Sequence, residues 1–143
     1  MTPFEIAKKE LGQKEIPGPK SNPRIVAYHQ ATTLKAKDEA IPWCSSFVCW
    51  CIDQALKAGW VGAPSTKQAW ARSYLAWGKS VKKNPKPGDI CIFTRGKSKS
   101  QGHVAFFVAK NPNGTIKVLG GNQGDSVCYR NYSPGLLLDI RRG

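Results

Sequence analysis

The sequence lacks an apolar segment of the roughly 20 residues that a membrane-spanning helix requires. Its longest apolar stretch, residues 47–58, is interrupted by Asp53, Gln54 and Lys57. It also lacks the features of a secretory signal peptide, because Glu5 stands in the region that would be basic and no small-residue cleavage site follows an apolar stretch. We therefore expect the chain to be made and folded in a cytoplasm.

Acidic residues are scarce. Nine Asp and Glu stand against 22 Lys and Arg, which gives a net charge of +13, and the basic residues are densest in segment 79–99. This surplus favours an anionic partner such as nucleic acid, lipid headgroups, lipopolysaccharide or a wall polymer. The sequence has no recognisable nucleic-acid-reading module, so we expect no nucleic acid partner; a basic nucleic-acid-binding protein stays an alternative that the charge alone supports.

The five cysteines do not have the even number and regular spacing of a disulfide framework. Cys44, Cys49 and Cys51 are clustered, whereas Cys91 and Cys128 lie in apolar runs. In a reducing compartment we interpret most of them as buried structural thiols. A zinc site made from the clustered cysteines and a histidine is an alternative, but Cys-x4-Cys-x-Cys on one helix does not place three sulfurs around a tetrahedral centre.

The length of 143 residues fits one domain, with a helical half at about 1–78 and a sheet half at about 86–143. Capping boxes, helix-starting prolines and helix-ending glycines predict helices near 2–12, 22–33, 42–59 and 65–78. Short β-branched or aromatic segments separated by Gly, Asn, Pro and Ser predict strands at 90–94, 103–110, 115–120, 126–132 and 136–140. This order predicts an α+β fold, with the N-terminal helices packed on one face of a C-terminal antiparallel sheet of about five strands.

Cys44 differs from the other cysteines in its position. Pro42 cannot continue a helix backward without losing a hydrogen bond, so the third helix is predicted to begin near Pro42 and to carry Cys44 in its first turn. Unpaired amides and the positive end of the helix dipole stabilise a thiolate there. Cys49 and Cys51 lie deeper in the helix, where this effect has faded. Cys44 is therefore the candidate nucleophile.

Only two histidines are available as a base. We interpret His29, in the short second helix, as a surface or helix-packing residue. If the two strands pair symmetrically about the middle of the loop 111–114, His103 faces Asn122 across the hairpin. The Cβ atoms of such a pair lie about 4.5–5.5 Å apart. The Asn122 carbonyl then accepts the Nδ1 hydrogen of His103, and the Nε2 lone pair points toward a thiol, as in a cysteine–histidine–amide triad. A bulge at 120–121 would shift this register by one residue.

Four motifs occur in order along nearly the whole chain: Pro-Trp-Cys-Ser-Ser-Phe-Val at 42–48, Pro-Gly-Asp-Ile at 87–90, Gly-His-Val-Ala at 102–105 and Gly-Gly-Asn-Gln at 120–123. Together they resemble the CHAP and NlpC/P60 peptidoglycan hydrolases, most closely the compact single-domain phage endolysins. The resemblance implies a papain-like fold that hydrolyses an amide in the peptide stem or at its junction with the glycan. It also implies catalytic roles for Cys44, His103 and Asn122.

The same resemblance implies one catalytic domain without a separate cell-wall-binding domain. We expect a monomer that acts on peptidoglycan during host lysis, made in the host cytoplasm and released to the wall or periplasm by another factor. A secreted antibacterial toxin with the same chemistry is the alternative. The resemblance leaves open whether the enzyme is an endopeptidase or an N-acetylmuramoyl-L-alanine amidase.

Two departures from the family pattern matter. NlpC/P60 members usually carry aspartate just before the cysteine, where this chain has Trp43. Some CHAP enzymes bind calcium through acidic clusters, but Asp38–Glu39 is the only adjacent acidic pair in this sequence, so we expect neither a metal nor another cofactor.

Substrate and oxyanion contacts are assigned more loosely. The Cys44 backbone amide is the expected oxyanion donor, and further candidates are Gln123, Tyr28, Ser45 and Trp43. The alternative interpretations of these side chains are strand edge, helix packing and helix capping. Trp43, Trp70 and Trp77 are also candidates to line a glycan groove, although their helical spacing favours core packing.

Overall fold

Helices occupy the first half of the chain and strands the second in a computed structural model that describes residues 1–17, 20–37 and 41–143. The α-helices are α1 (Pro3–Lys9), α2 (Pro23–His29) and α3 (Cys44–Lys57), and a 3₁₀ segment follows at Ala71–Ala76. The predicted α+β class is confirmed. Within the described ranges, no helix combines the length and apolar character needed to cross a bilayer.

Six antiparallel strands form one sheet in the order β1-β6-β2-β3-β4-β5. All five predicted strands are present. The prediction missed only the two-residue edge strand β1, which pairs with the last strand and has no sequence pattern of its own. The strands are β1 (Lys79–Ser80), β2 (Ile90–Arg95), β3 (Ser98–Lys110), β4 (Ile116–Gln123), β5 (Ser126–Tyr132) and β6 (Leu137–Arg142).

Helix α3 lies against β3 and β4, and α1 and α2 pack on α3. The apolar residues of α3 recur at helical spacing, and Phe47, Val48 and Ile52 are fully buried. Burying side chains of this size contributes about 1.5–3 kcal/mol each. No side chain caps the first turn, which Trp43 precedes as the N-cap residue. This helix therefore presents its uncapped N-terminus at the sheet, with Cys44 as its first residue.

The predicted fourth helix, at 65–78, is wrong. Only Ala71–Ala76 is helical, and as a 3₁₀ segment. The Ser65 and Thr66 hydroxyls accept hydrogen bonds from amides two residues ahead, at Lys67 and Gln68, and Lys67 adopts a positive φ of 57°. The same Ser65 and Thr66 that suggested a capping box therefore form local turns. Their hydroxyls bind the backbone amides in a geometry that differs from the start of an α-helix.

The Pro-Gly-Asp motif fixes the start of β2. Gly88 takes a φ of +96°, which favours glycine, in the predicted turn. The buried Asp89 carboxylate accepts hydrogen bonds from the Lys86 amide at 2.6 Å and from two guanidinium nitrogens of Arg142, each at 2.7 Å. The motif thus ties β2 to β6. It also sets the register in which Phe93 of β2 pairs with His103 of β3.

The register of the β3–β4 hairpin differs from the prediction near the loop. Lys110 pairs with Ile116 rather than Thr115, because the loop includes Thr115 and closes with a hydrogen bond from the Asn111 amide to the Thr115 carbonyl. A bulge between Phe107 and Ala109 restores the predicted register further along the strands. The irregularity that changes the site lies later, in β4.

Candidate active site

Cys44 and His103 meet where the N-terminus of α3 touches β3. The His103 side chain and the Val104 backbone lie close enough to the Cys44 thiol to favour its ionised form. Helix α3 carries the sulfur in its first turn and β3 carries the ring, so elements from opposite halves of the chain build the pair. The two predicted residues are therefore brought together as expected.

The environment of Cys44 favours its thiolate. Burial is the largest influence and opposes ionisation, but the hydrogen bond and charge of His103, the Val104 amide and the positive charge of Arg95 outweigh it. The pKa of the Cys44 thiol therefore lies below the usual value. Cys51 and Cys91, which have no such neighbours, have pKa values raised by burial. Cys44 is thus set apart from Cys51 and Cys91 as the thiol whose ionised form is favoured.

The His103 ring is held on its far side by Gln123. The Nε2 nitrogen donates to the Gln123 side-chain oxygen at 2.8 Å, and the ring packs beside Phe93 and Tyr132, with centroids 6.4 and 5.3 Å away. The amide oxygen can only accept, so Nε2 carries the hydrogen and Nδ1 is left for the sulfur. The predicted roles of the two ring nitrogens are therefore reversed.

Gln123 replaces Asn122, which was predicted to orient the ring. A bulge interrupts the β4–β5 ladder between Gly120 and Gln123, and Asn122 within it has a positive φ of 58°. An extra residue in a strand turns the following side chain to the opposite face. This change of direction brings the side chain of Gln123 to His103. Gln123, predicted from the sequence to be a substrate or oxyanion contact, thus occupies the place predicted for Asn122.

The orientation of the Gln123 amide is fixed by its other contacts. Its nitrogen donates to the Cys128 carbonyl at 2.7 Å, and its oxygen also accepts from the Tyr132 hydroxyl at 3.3 Å. The side chain folds over Gly120, where a Cβ atom would lie only 2.7 Å from the Gln123 oxygen. Glycine at 120 is therefore required by the close approach of the residue that holds the ring.

Cys44 is covered but not sealed. The residue is 4% exposed, and it forms part of the wall of a cavity of about 200 Å³. Trp70 and Arg95 also line this cavity, with Gln101 and Gly102 from β3. A substrate entering the cavity can thus approach the thiol.

Three predicted substrate contacts lie in the core instead. Tyr28, Trp43 and Ser45 are fully buried. The Tyr28 hydroxyl donates to Glu10, the Trp43 indole to Glu15 and the Ser45 hydroxyl to the Gln68 carbonyl. Because these polar groups are already satisfied inside the protein, the structure contradicts a substrate-binding role for them.

Trp43 instead packs against the bulged part of β4. A Cβ atom at Gly121 would lie 2.7 Å from the Trp43 ring and 2.9 Å from the Phe47 Cβ. The bulge that turns Gln123 toward His103 therefore rests directly on α3. Glycine at 121 allows the strand to come this close.

The remaining tryptophans and His29 are placed differently. Trp70 is 54% exposed and lines the Cys44 cavity, so it is not a core residue and stays a candidate for contact with a substrate. Trp77 lines a separate cavity near the start of β2 and donates to the Pro64 carbonyl. His29 is fully buried and its Nδ1 is 2.9 Å from the Ser46 hydroxyl, so it is a packing residue and not a surface one.

Potential metal ligands are dispersed in the part of the chain that the structure describes, with no three His, Cys, Asp or Glu side chains grouped together. The Asp38–Glu39 pair lies outside the described residues. Cys49 is used elsewhere, since its sulfur lies 3.0 Å from the buried Tyr74 hydroxyl. The zinc alternative therefore gains no support from the arrangement of the clustered cysteines.

Two residues beside the site escaped the sequence analysis. Tyr132 ends β5 and contacts both Gln123 and the His103 ring, and burial raises its pKa. Arg95 ends β2 and acts electrostatically on Cys44. Neither lies in a motif. The pairing of Phe93 with His103 would have placed Arg95 nearby, but finding Tyr132 needs the register of three strands.

A solved structure from Staphylococcus aureus subsp. aureus Mu50, described as similar to a lipoprotein of the NLP/P60 family, has a similar fold. The TM-score is 0.56 and the identity 19%, over 98% of this chain and 40% of that one. This chain thus spans about 40% of the length of that structure, and at this identity the likeness concerns the fold. It agrees with the expected papain-like architecture. No curated protein sequence matches significantly.

The family model of the CHAP domain matches residues 36–122, more than half of the chain. The match includes Cys44 and His103 and ends at Asn122, one residue before the side chain that holds the histidine ring. The chain therefore belongs to the CHAP domain family.

Proposed function

We propose that the protein is a cysteine-dependent peptidoglycan amidohydrolase, an endopeptidase or an N-acetylmuramoyl-L-alanine amidase, with Cys44 as nucleophile and His103 as base. The contact between the Cys44 thiol and His103, beside a cavity, carries this proposal. A thiol of lowered pKa, an imidazole and an orienting amide form a variant of the catalytic triad.

The first half of the reaction forms a thioester. His103 takes the Cys44 proton at Nδ1, and the thiolate attacks the scissile carbonyl carbon, forming a C–S bond. The Cys44 backbone amide, at the uncapped start of α3, donates to the oxyanion. One such donor typically contributes about 10²–10³ in rate. His103 then gives the proton to the leaving amine nitrogen as the C–N bond breaks.

The second half releases the acid. His103 accepts a proton from water, whose oxygen attacks the thioester carbon. Cys44 leaves as the thiolate and recovers its proton from His103, while the product departs as a carboxylic acid. Throughout both halves, the Gln123 amide keeps Nε2 protonated and directs Nδ1 at the reacting atoms. Tyr132 supports the amide from its other side.

The setting that we propose is host-cell lysis by a phage endolysin, acting as a monomer. In this proposal the protein is made in the host cytoplasm and another factor delivers it to the wall. The resemblance of the four motifs to compact endolysins supports this setting. We also propose that the positive surface charge attracts the protein to the anionic envelope, that is, to lipopolysaccharide or wall polymers. Lys82 and Lys83 line a recess of about 560 Å³ where such a polymer can approach.

Replacement of the nucleophile tests the proposed function. Cys44→Ala should abolish release of fragments from purified peptidoglycan that the wild type digests, because the proposed thioester forms on the Cys44 sulfur. Mass spectrometry of the wild-type fragments identifies the bond from its new amine and carboxyl ends. Circular dichroism and thermal unfolding should show that the variant is folded. A folded Cys44→Ala protein with wild-type activity would overturn the proposal.

The thiol pKa should depend on His103. We expect the rate of iodoacetamide alkylation of Cys44 in the wild type to rise with pH at values below the ordinary cysteine range near 8.5. In His103→Ala the main stabilisation of the thiolate is gone while burial remains, so the rise should move above that range. Peptide mass spectrometry measures the modified fraction at Cys44. An unchanged midpoint would contradict the contact.

Gln123, and not Asn122, should matter for turnover. Gln123→Ala leaves the buried Nε2 hydrogen without its acceptor, which costs about 1–3 kcal/mol and should lower kcat about 10- to 100-fold. Asn122→Gly is the matched control, because glycine readily adopts the positive φ at this position. It should keep activity within about threefold. Equal losses in the two variants would refute the assignment of Gln123.

Digestion of intact walls should weaken as salt increases. The Debye length falls from about 30 Å at 0.01 M to about 3 Å at 1 M salt, which screens the attraction between a +13 protein and an anionic wall. Turbidity clearing of wall suspensions measures this rate. A soluble muropeptide fragment is the control, since its hydrolysis should change much less. Equal salt dependence of both substrates would remove the role of the surface charge.

A further inference from the structure

Arg95 is an exposed cation beside the nucleophile. It ends β2, lines the cavity that Cys44 also lines, and its charge acts on both the Cys44 thiol and the Tyr132 hydroxyl. In the residues described by the structure, the ion pairs are those of Arg24, Arg141 and Arg142, and none involves Arg95. Arg95 thus lines the cavity without an ion pair to a carboxylate of the described residues.

The neighbouring Arg72 has a different role. Its Nε donates to the Gln101 carbonyl at 2.7 Å and its Nη2 to the Thr94 hydroxyl at 3.1 Å. These bonds tie the 3₁₀ segment to the end of β2 and to β3, directly beside Arg95. Arg72 thus holds the position from which Arg95 reaches the cavity.

Trp70, another residue that lines this cavity, has an apolar ring in a fixed position. The Trp70 indole nitrogen donates to the Ser100 carbonyl, which anchors the ring although the residue is half-exposed. A fixed aromatic face beside a guanidinium suits a ligand with both an apolar stem and an anionic end. The cavity, at about 200 Å³, is smaller than the roughly 300–1,000 Å³ of typical ligand pockets. It fits one amino-acid residue better than a disaccharide.

We propose that Arg95 and Trp70 form a subsite for a carboxylate-bearing amino-acid residue of the stem peptide, next to the scissile amide. The proposal rests on the proposed function and adds to it a substrate feature. Arg95 binds the carboxylate through paired N–H donors, and Trp70 covers the aliphatic part of the same residue. Since Cys44 lines the same cavity, the bound residue places its neighbouring amide at the thiol.

The test compares two forms of one substrate. Soluble muropeptides are used as prepared, or after their carboxylates have been converted to amides with carbodiimide and ammonium chloride. Arg95→Gln should reduce kcat/KM on the untreated form about 10- to 100-fold, the size expected for loss of a charge-assisted hydrogen bond, mainly through KM. On the amidated form the same substitution should cost several-fold less, because only the effect of the Arg95 charge on the Cys44 thiol, which both forms share, remains.

The control variant is Lys97→Gln, which removes a charge from the same exposed turn but does not line the cavity. It should leave kcat/KM on both forms within about threefold. Equal losses of Arg95→Gln on both forms, or no loss on the untreated form, would overturn the subsite. If the wild type cleaves neither form, the proposed function itself fails, and the subsite with it.

Discussion

The site depends on a balance at one sulfur atom. Burial of Cys44 opposes its ionisation more strongly than any single neighbour favours it, yet His103, the Val104 amide and Arg95 together reverse the outcome. A buried thiol without such neighbours, such as Cys91, is driven the other way. The chemistry of the chain thus requires both the apolar packing that covers Cys44 and the polar contacts that offset it.

These contacts come from distant parts of the chain. The uncapped start of α3 supplies the sulfur, β3 supplies the ring, and the bulged end of β4 supplies the amide that holds it. The two glycines before Asn122 allow these elements to come together. Gly120 leaves space for the Gln123 side chain, and Gly121 lets β4 pack against Trp43. Rigid elements with locked supporting contacts are what precise positioning of catalytic groups needs.

The sequence predicted what depends on local pattern. Helical spacing located α3, and a proline near its start placed Cys44 in the first turn. Short β-branched or aromatic segments between turn residues located five of the six strands. The prediction of a helix at 65–78 was wrong because Ser65 and Thr66 form local turns. Serine and threonine form such turns as readily as they cap helices.

The third member of the site was harder to predict. Asn122 and Gln123 carry the same functional group, and which one faces His103 depends on a single bulge and one positive φ. Hairpin pairing fixes register only while strands stay regular. The core positions of Tyr28, Trp43 and Ser45 were missed for a related reason, because a polar atom in a sequence motif does not reveal that a partner such as Glu10 or Glu15 lies nearby in space.

The choice of a glutamine at position 123 affects how the pair exchanges protons. Its oxygen is uncharged and already accepts from two donors, His103 and Tyr132. A carboxylate there would instead place a negative charge, and a further proton acceptor, against the ring. With an amide, the residue that holds the ring accepts its hydrogen but takes no proton from it, so proton exchange is left to the sulfur and the ring nitrogen that faces it.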